Sequence, residues 1–79
     1  MAEKKMKKET DIERIQSDVS QFYDNVKEVK VTKENEYAIG QAKSYCEDTG
    51  YFVEKGDLFT AWGCINYAHG LLDAFRKKR

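Results

Sequence analysis

The chain contains a single histidine, His69, and the residues three before it and four after it are Asn66 and Asp73. On a helix these three side chains lie on one side and could form a polar row. Such a row can serve general acid–base catalysis, but the sequence places no nucleophile and no orienting group beside it. We therefore expect His69 to bridge or cap other groups, and we predict no catalytic residue and no enzymatic activity.

The two cysteines, Cys46 and Cys64, are the other residues that could do chemistry. Zinc binding needs three or four converging ligands, and Cys46, Cys64 and His69 lack the spacing of a zinc site. The cysteines form neither a C-x-x-C pair nor the framework of a secreted disulfide protein. The turn at Gly56 is not the glycine-rich loop of a phosphate site. We expect no metal and no cofactor, and we predict that both cysteines pack as small hydrophobes.

Three apolar stripes with helical spacing predict the elements that would position these residues. The first, on a helix expected to begin at a capping box of Thr10 and Glu13 and to end near Val29, is Ile12, Ile15, Val19, Phe22, Val26 and Val29. The second, expected from Thr32 or Lys33 to Lys55, is Ala38, Ala42, Tyr45, Thr49 and Phe52, widened by Ile39, Cys46 and Val53. The third, expected from Leu58 to about Arg76, is Leu58, Ala61, Ile65, Ala68, Leu72 and Phe75.

The residues between the stripes favour an all-α fold. Gly56 is suited to end the second helix, and Asp57 is suited to cap the third. The chain has no proline and five glycines, too few for the turns of an all-β fold. Its 79 residues leave room for one domain. We predict a single up-and-down three-helix bundle over residues 10–79, preceded by a disordered basic leader, residues 1–9.

The formal net charge of zero hides an uneven distribution. Residues 1–9 and 76–79 together carry eight basic and two acidic side chains, whereas residues 10–75 carry six basic and twelve acidic ones. An acidic body suits a basic partner, and nucleic acid would have to bind through the termini. An RNA or nucleotide binder with stacking tyrosines at positions 45, 51 and 67 is therefore possible but not favoured.

Neither a secretion signal nor a membrane span is indicated. The first residues are charged, unlike the apolar region of a signal peptide. The longest uncharged stretch, Leu58–Leu72, is too short and too polar to cross a bilayer. We therefore expect a cytoplasmic protein without a membrane partner.

The third helix carries more apolar surface than a three-helix monomer can bury. No formal charge lies between Asp57 and Asp73, so this helix is apolar or neutral on nearly every side. Glycines seven residues apart lie opposite the core stripe, where each costs about 1 kcal/mol relative to alanine. An aromatic, uncharged and weakly polar helix surface of this kind is typical of a recognition patch or a self-association interface. The candidate interface residues are Phe59, Trp62, Gly63, Asn66, Tyr67, Gly70 and Asp73.

The second and third predicted helices also carry a recognisable motif. It reads Tyr51-Phe52-x-x-Lys55-Gly56-Asp57-x-x-x-Ala61-x-x-x-Ile65-x-Tyr67-Ala68-x-Gly70-Leu71-Leu72-Asp73-Ala74. The motif resembles a small archaeal family of unknown function, domain of unknown function 357 (DUF357). Membership would imply an up-and-down three-helix bundle with left-handed twist, and it would imply no activity.

These observations lead to one main functional expectation. We expect a non-catalytic helical interaction module that self-associates, as a dimer, or docks a protein partner through the outer face of the third helix, with Trp62 and Tyr67 as anchors. The alternative is the RNA or nucleotide binder with basic termini.

Overall fold

The computed structural model describes residues 8–76, and the side chains from residue 10 onwards. Three α-helices form the fold: α1 (Lys8–Val26), α2 (Glu36–Glu54) and α3 (Leu58–Asp73). Arg14 near the start of α1 lies over Trp62 near the start of α3, and Glu28 after α1 pairs with Arg76 after α3. Helices α1 and α3 are therefore parallel, with α2 antiparallel to both. The predicted all-α, up-and-down three-helix bundle is confirmed.

The core lies where the second half of α1 covers the hairpin of α2 and α3. Phe22 is the largest fully buried side chain. The core cluster comprises Phe22, Ile39, Ala42, Cys46, Ile65, Ala68 and Leu72. Helices α2 and α3 make the most extensive contact, and α1 packs mainly on α3 and only sparsely on α2. Small buried residues such as Ala42, Ala61 and Ala68 allow such close packing of helices.

The predicted stripes of α1 and α3 contain most of the core, but the stripe of α2 is rotated. Its buried residues are Ile39, Ala42, Cys46 and Thr49. Tyr45 and Phe52 lie only partly buried at the margin, where a tyrosine keeps its polar end near water. Of the residues predicted to widen this stripe, Ile39 and Cys46 are buried with Ala42 and Thr49, whereas Val53 is only partly buried. On α3, Phe75 falls after the helix end and is exposed.

The helix ends differ from prediction in all three helices. Residues 8 and 9 are already helical, so Thr10 is not an N-cap and the predicted capping box is wrong, since lysine and glutamate are good helix formers. Residues 1–7 and 77–79, including most of the leader predicted to be disordered, lie outside the described residues. α1 ends at Val26 and α3 at Asp73, each about three residues earlier than expected.

The connection between α1 and α2 is organised by one buried side chain, Asn35. Its Oδ1 accepts from the backbone N–H of Thr32 at 2.8 Å, and its Nδ2 donates to the carbonyl of Lys30 at 3.1 Å. Asparagine commonly bonds nearby backbone in this way and so favours a turn over a helix. This turn delays the start of α2 to Glu36, later than the predicted Thr32 or Lys33.

The connection between α2 and α3 is as predicted. Gly56 has a φ of 81°, a left-handed conformation that glycine adopts without steric cost. The Asp57 carboxylate accepts from the backbone N–H of Thr60 at 3.1 Å. Hydrogen bonding from the Thr60 side chain, and then from its backbone, lowers the pKa of Asp57 because it stabilises the charged form. Asp57 therefore stabilises the start of α3 while it is ionised, and this contribution is lost as acid protonates it.

The burial of Phe22 makes a stability prediction. We expect Phe22→Ala to lower the free energy of unfolding in urea by about 3–5 kcal/mol, because the change leaves a cavity in a small core. The matched control is Phe59→Ala on α3, where the side chain is 87 % exposed and the change should cost less than about 0.5 kcal/mol. If Phe22→Ala does not fold, Phe22→Leu should fold and lose less. Equal losses for Phe22→Ala and Phe59→Ala would contradict this core.

Candidate functional site

The side of α3 that faces away from the core is exposed along its whole length. Phe59, Gly63, Asn66, Gly70 and Asp73 follow one another at steps of four, three, four and three residues and are all exposed. At about 100° per residue these steps place them in one stripe, opposite the buried residues of the helix. Tyr67 is exposed beside the stripe. We refer to these six residues, all predicted from the sequence, as the α3 outer face.

Two aromatic side chains project from the α3 outer face. Phe59 is 87 % exposed and Tyr67 is 54 % exposed. The Tyr67 ring packs edge-on against Tyr45 of α2, with ring centroids 4.7 Å apart. Tyr67 is therefore held in place by the neighbouring helix while about half of its surface remains available. A rigid aromatic of this kind makes a good contact residue because little entropy is lost on binding.

The glycines of the α3 outer face have no role in the packing of this chain. A Cβ atom built at Gly63 or Gly70 would meet nothing within 4 Å. Neither glycine has a positive φ, since Gly56 alone among the described glycines does. Each nevertheless costs about 1 kcal/mol of helix stability relative to alanine. The fold itself would be better served by alanine, so the close approach that glycine allows is available to a molecule outside the fold.

Trp62, the remaining predicted interface residue, lies at the edge of the α3 outer face. It is half-buried on the flank of α3 that faces α1, and the Arg14 guanidinium lies 5.2 Å from its ring centroid. Its position is about one sixth of a turn from the centre of the outer stripe, since successive residues are rotated by about 100°. Trp62 is therefore part of the contact between α1 and α3, and it borders the α3 outer face instead of anchoring its centre.

A depression of about 410 Å³ lies beside Trp62, at the end of the α3 outer face. It is lined by Phe59 and Trp62 of α3 and by Asp11 and Arg14 of α1. Asp11 is buried, and its Oδ2 atom has no hydrogen-bond partner among the described residues. A buried oxygen of this kind can accept a hydrogen bond from a bound group. The sequence prediction missed Asp11 and Arg14, although the parallel course of α1 and α3 in the predicted bundle brings their first turns together.

His69 does not form the polar row that its neighbours suggested. Its Nε2 atom donates to the carbonyl oxygen of Asp18 on α1, at 2.9 Å, so the proton is on Nε2 because a carbonyl can only accept. The ring also packs edge-on against Phe22, with centroids 5.7 Å apart. Asp73 instead accepts from Arg76 at 3.3 Å. His69 thus bridges α3 to α1.

The two thiols lie on different helices and form no metal-binding group. Cys46 is buried in the core and Cys64 is half-buried on α3. Within residues 8–76, no three His, Cys, Asp or Glu side chains come together as candidate metal ligands. Burial raises the pKa of Cys46; a hydrogen bond with Tyr23 opposes the shift and the charge of Glu47 adds to it. Burial, together with the charges of Asp48 and Asp57, also raises the pKa of Cys64.

Comparison with known proteins identifies a family but no activity. A family model described as "Protein of unknown function (DUF357)" matches residues 3–78. The match therefore includes α1 as well as the two helices that carry the motif. No curated protein matches the chain. None of the helices in the described part of the chain is long and apolar enough to cross a membrane.

The raised thiol pKa values predict how the rate of cysteine labelling depends on pH. Because the pKa of each thiol lies above the value of about 8.5 for a free cysteine, less thiolate is present at neutral pH and disulfide-exchange reagents should react slowly. The labelling rate should rise only as the pH increases above the pKa of a free cysteine thiol. Cys46→Ser and Cys64→Ser variants separate the two rates, and we expect Cys46, which is 2 % exposed, to be the slower. Fast labelling of Cys46 in the native protein at neutral pH would contradict its burial.

Proposed function

Because the chain belongs to the DUF357 family, whose description assigns no activity, we propose its function from its surface: it is a non-catalytic helical interaction module of unknown biological role that self-associates through the α3 outer face. The observation that carries this proposal is a stripe that has no formal charge before its last residue, Asp73, and that carries two projecting aromatics and two glycines that the fold does not need. The proposal includes a cytoplasmic location, for which the two free cysteines are suited.

The lack of charge favours a second copy of the chain as the occupant of the α3 outer face. In a two-fold symmetric dimer the same surface meets itself, so any charge at its centre would meet a like charge. Between Asp57 and Asp73 this surface has no formal charge, and therefore no repulsion of this kind arises. A protein selected to bind a charged partner would be expected to carry complementary charges on the same surface.

The glycine positions suit an antiparallel pair of α3 helices. If Asn66 and Tyr67 lie at the two-fold axis, Gly63 of one copy faces Gly70 of the other. Symmetry repeats this contact, so Gly70 of the first copy also faces Gly63 of the second. Small residues at such crossings allow the helix axes to approach more closely than the usual 8–10 Å. Phe59 of one copy would then cover the C-terminal end of α3 in the other copy. The depression beside Trp62 would receive a side chain from that same helix.

A paired glycine substitution tests this interface. We expect the double variant Gly63→Leu, Gly70→Leu to be monomeric in light scattering at concentrations where the natural protein is dimeric, because the added side chains separate the two helices. We expect no clash within the monomer to lower its thermal unfolding midpoint, since neither new Cβ meets anything within 4 Å. Leucine also has a higher helix propensity than glycine.

Gly40→Leu on α2 is the matched control. Gly40 is also an exposed helical glycine whose Cβ would meet nothing within 4 Å, and the change should leave the dimer intact. Trp62→Ala is a poor test because Trp62 also supports α1. A natural protein that is monomeric throughout a dilution series up to high micromolar concentration, or a double variant that remains dimeric, would overturn the proposal.

Fewer features of the structure support the alternative function, an RNA or nucleotide binder, than support the interaction module. Of the three tyrosines predicted to stack on bases, Tyr45 and Tyr67 contact each other. Tyr51 is 55 % exposed and has the Lys55 ammonium 5.4 Å from its ring centroid, which is an arrangement that could hold one base and its phosphate. Glu54 and Asp57 lie close to Lys55 in the sequence and oppose an anion there.

Salt dependence decides this alternative. If nucleic acid were the ligand, binding of a labelled single-stranded RNA should weaken steeply between low and physiological salt, because counterions are released from the phosphates. Tyr51→Ala should also reduce the affinity, whereas Tyr37→Ala, at another exposed tyrosine of α2, should not. We expect no such binding, and a steep salt dependence that requires Tyr51 would favour the alternative over the interaction module.

A further inference from the structure

The sparse contact between α1 and α2 leaves a groove on a different side of the molecule. Phe22 joins the core cluster with Ile39 and Ala42 of α2, which closes the gap between the two helices near the end of α1. Toward the start of α1 the two helices bound an open groove of about 350 Å³ instead. Its volume is at the lower end of the range for binding pockets in proteins.

The floor of the groove is apolar. It is lined by Ile15 and Val19 of α1 and by Cys46, Thr49 and Val53 of α2. Thr49 is fully buried and donates its hydroxyl hydrogen to the carbonyl of Tyr45 at 3.0 Å, so that hydrogen is not available to a ligand. The floor therefore favours hydrocarbon side chains over polar ones.

The wall formed by α2 is acidic. Glu47 and Glu54 line the groove, and they lie seven residues apart on the same helix, which is about 10 Å or two turns. No ion pair formed among residues 10–76 involves either glutamate. Burial is the main cause of the raised pKa of Cys46 at the floor, and the charge of Glu47 adds to it.

Gly50 keeps the groove open between these two glutamates. It lines the groove, and a Cβ at this position would meet nothing within 4 Å. Glycine costs helix stability here as it does on α3. Because Gly50 lines the groove and a Cβ there is free of contacts, a larger side chain at this position is expected to fill the groove while the fold is kept.

We propose that the groove between α1 and α2 docks a basic amphipathic helix of a partner protein. The apolar side of that helix would present two hydrophobic side chains one turn apart to the half-buried Val19 and Val53, and lysine or arginine residues beside them would pair with Glu47 and Glu54. The charges carry the choice of partner, because an acidic wall beside an apolar floor attracts a positively charged amphipathic segment and repels an acidic one. This surface is separate from the α3 outer face and does not depend on dimerisation.

The test uses a synthetic peptide and the full chain. The peptide is a fluorescein-labelled helix of about 15 residues, near the length at which helices become stable in water, with two leucines four residues apart and lysines on both sides. We expect saturable binding by fluorescence anisotropy. Gly50→Leu should weaken it by about tenfold or more because the leucine of the variant occupies the space of a buried peptide side chain. Gly40→Leu, outside the groove on the same helix, should leave the affinity unchanged.

Two further variants separate the charge from the shape of the groove. The double variant Glu47→Gln, Glu54→Gln should weaken binding and reduce its dependence on salt, and a peptide with glutamates in place of the lysines should not bind. Thermal unfolding of Gly50→Leu confirms that the variant is folded. Absence of saturable binding by the natural chain, or equal binding by Gly50→Leu and Gly40→Leu, would overturn the proposal, and neither outcome bears on the dimer, which is measured separately by light scattering.

Discussion

The contact of Phe22 with the hairpin of α2 and α3 is the interaction on which the rest of the structure depends. Phe22 is fully buried within the core cluster, and its ring packs against His69, which in turn donates to the backbone of α1 at Asp18. These contacts attach the second half of α1, and α1 as a whole packs mainly on α3. The same attachment leaves the first half of α1 apart from α2 and leaves one side of α3 without a neighbour.

The two open surfaces follow from that geometry and from the size of the chain. A domain of 79 residues buries a smaller fraction of its surface than a larger one, so exposed apolar groups at its margin are expected. Exposed glycines inside helices are harder to explain by size, because alanine would be more stable at each. All four exposed helical glycines, which are Gly40, Gly50, Gly63 and Gly70, have open space around them. On the α3 outer face and beside the groove, binding of other molecules gives a physical reason for keeping glycine, whereas Gly40 has no such reason.

The helices and most of the core could be predicted from the sequence because they depend on local rules. The spacing of the apolar residues identified Phe22, Ile65 and Leu72 as core residues, and the turn chemistry of Gly56 and Asp57 placed one connection correctly. The remaining helix ends depended on local interactions that leave no strong signal in the sequence. One example is the pair of hydrogen bonds that Asn35 makes with Thr32 and Lys30. The exposed stripe on α3 was also predictable, since one helix was apolar on more sides than a three-helix bundle can cover.

What the sequence could not give was the position of α1 relative to the other two helices. Periodicity shows which side of a helix is buried, but the choice between equal contact with two neighbours and closer contact with one depends on tertiary packing. That choice turned Trp62 toward Arg14 and opened the groove between α1 and α2. The depression that includes Asp11 and the acidic groove were therefore invisible until the three helices were placed together.

The central claim is that the α3 outer face is the surface through which two copies meet, and amide NMR spectra over a dilution series test it most directly. Glycine amides occupy a distinct region of such spectra, and Gly63 and Gly70 lie on the claimed interface whereas Gly40 lies away from it. The account predicts that the amide signals of Gly63 and Gly70 shift or broaden with protein concentration while that of Gly40 stays constant. Spectra in which all three signals are independent of concentration, in a sample shown to be monomeric throughout, would contradict it.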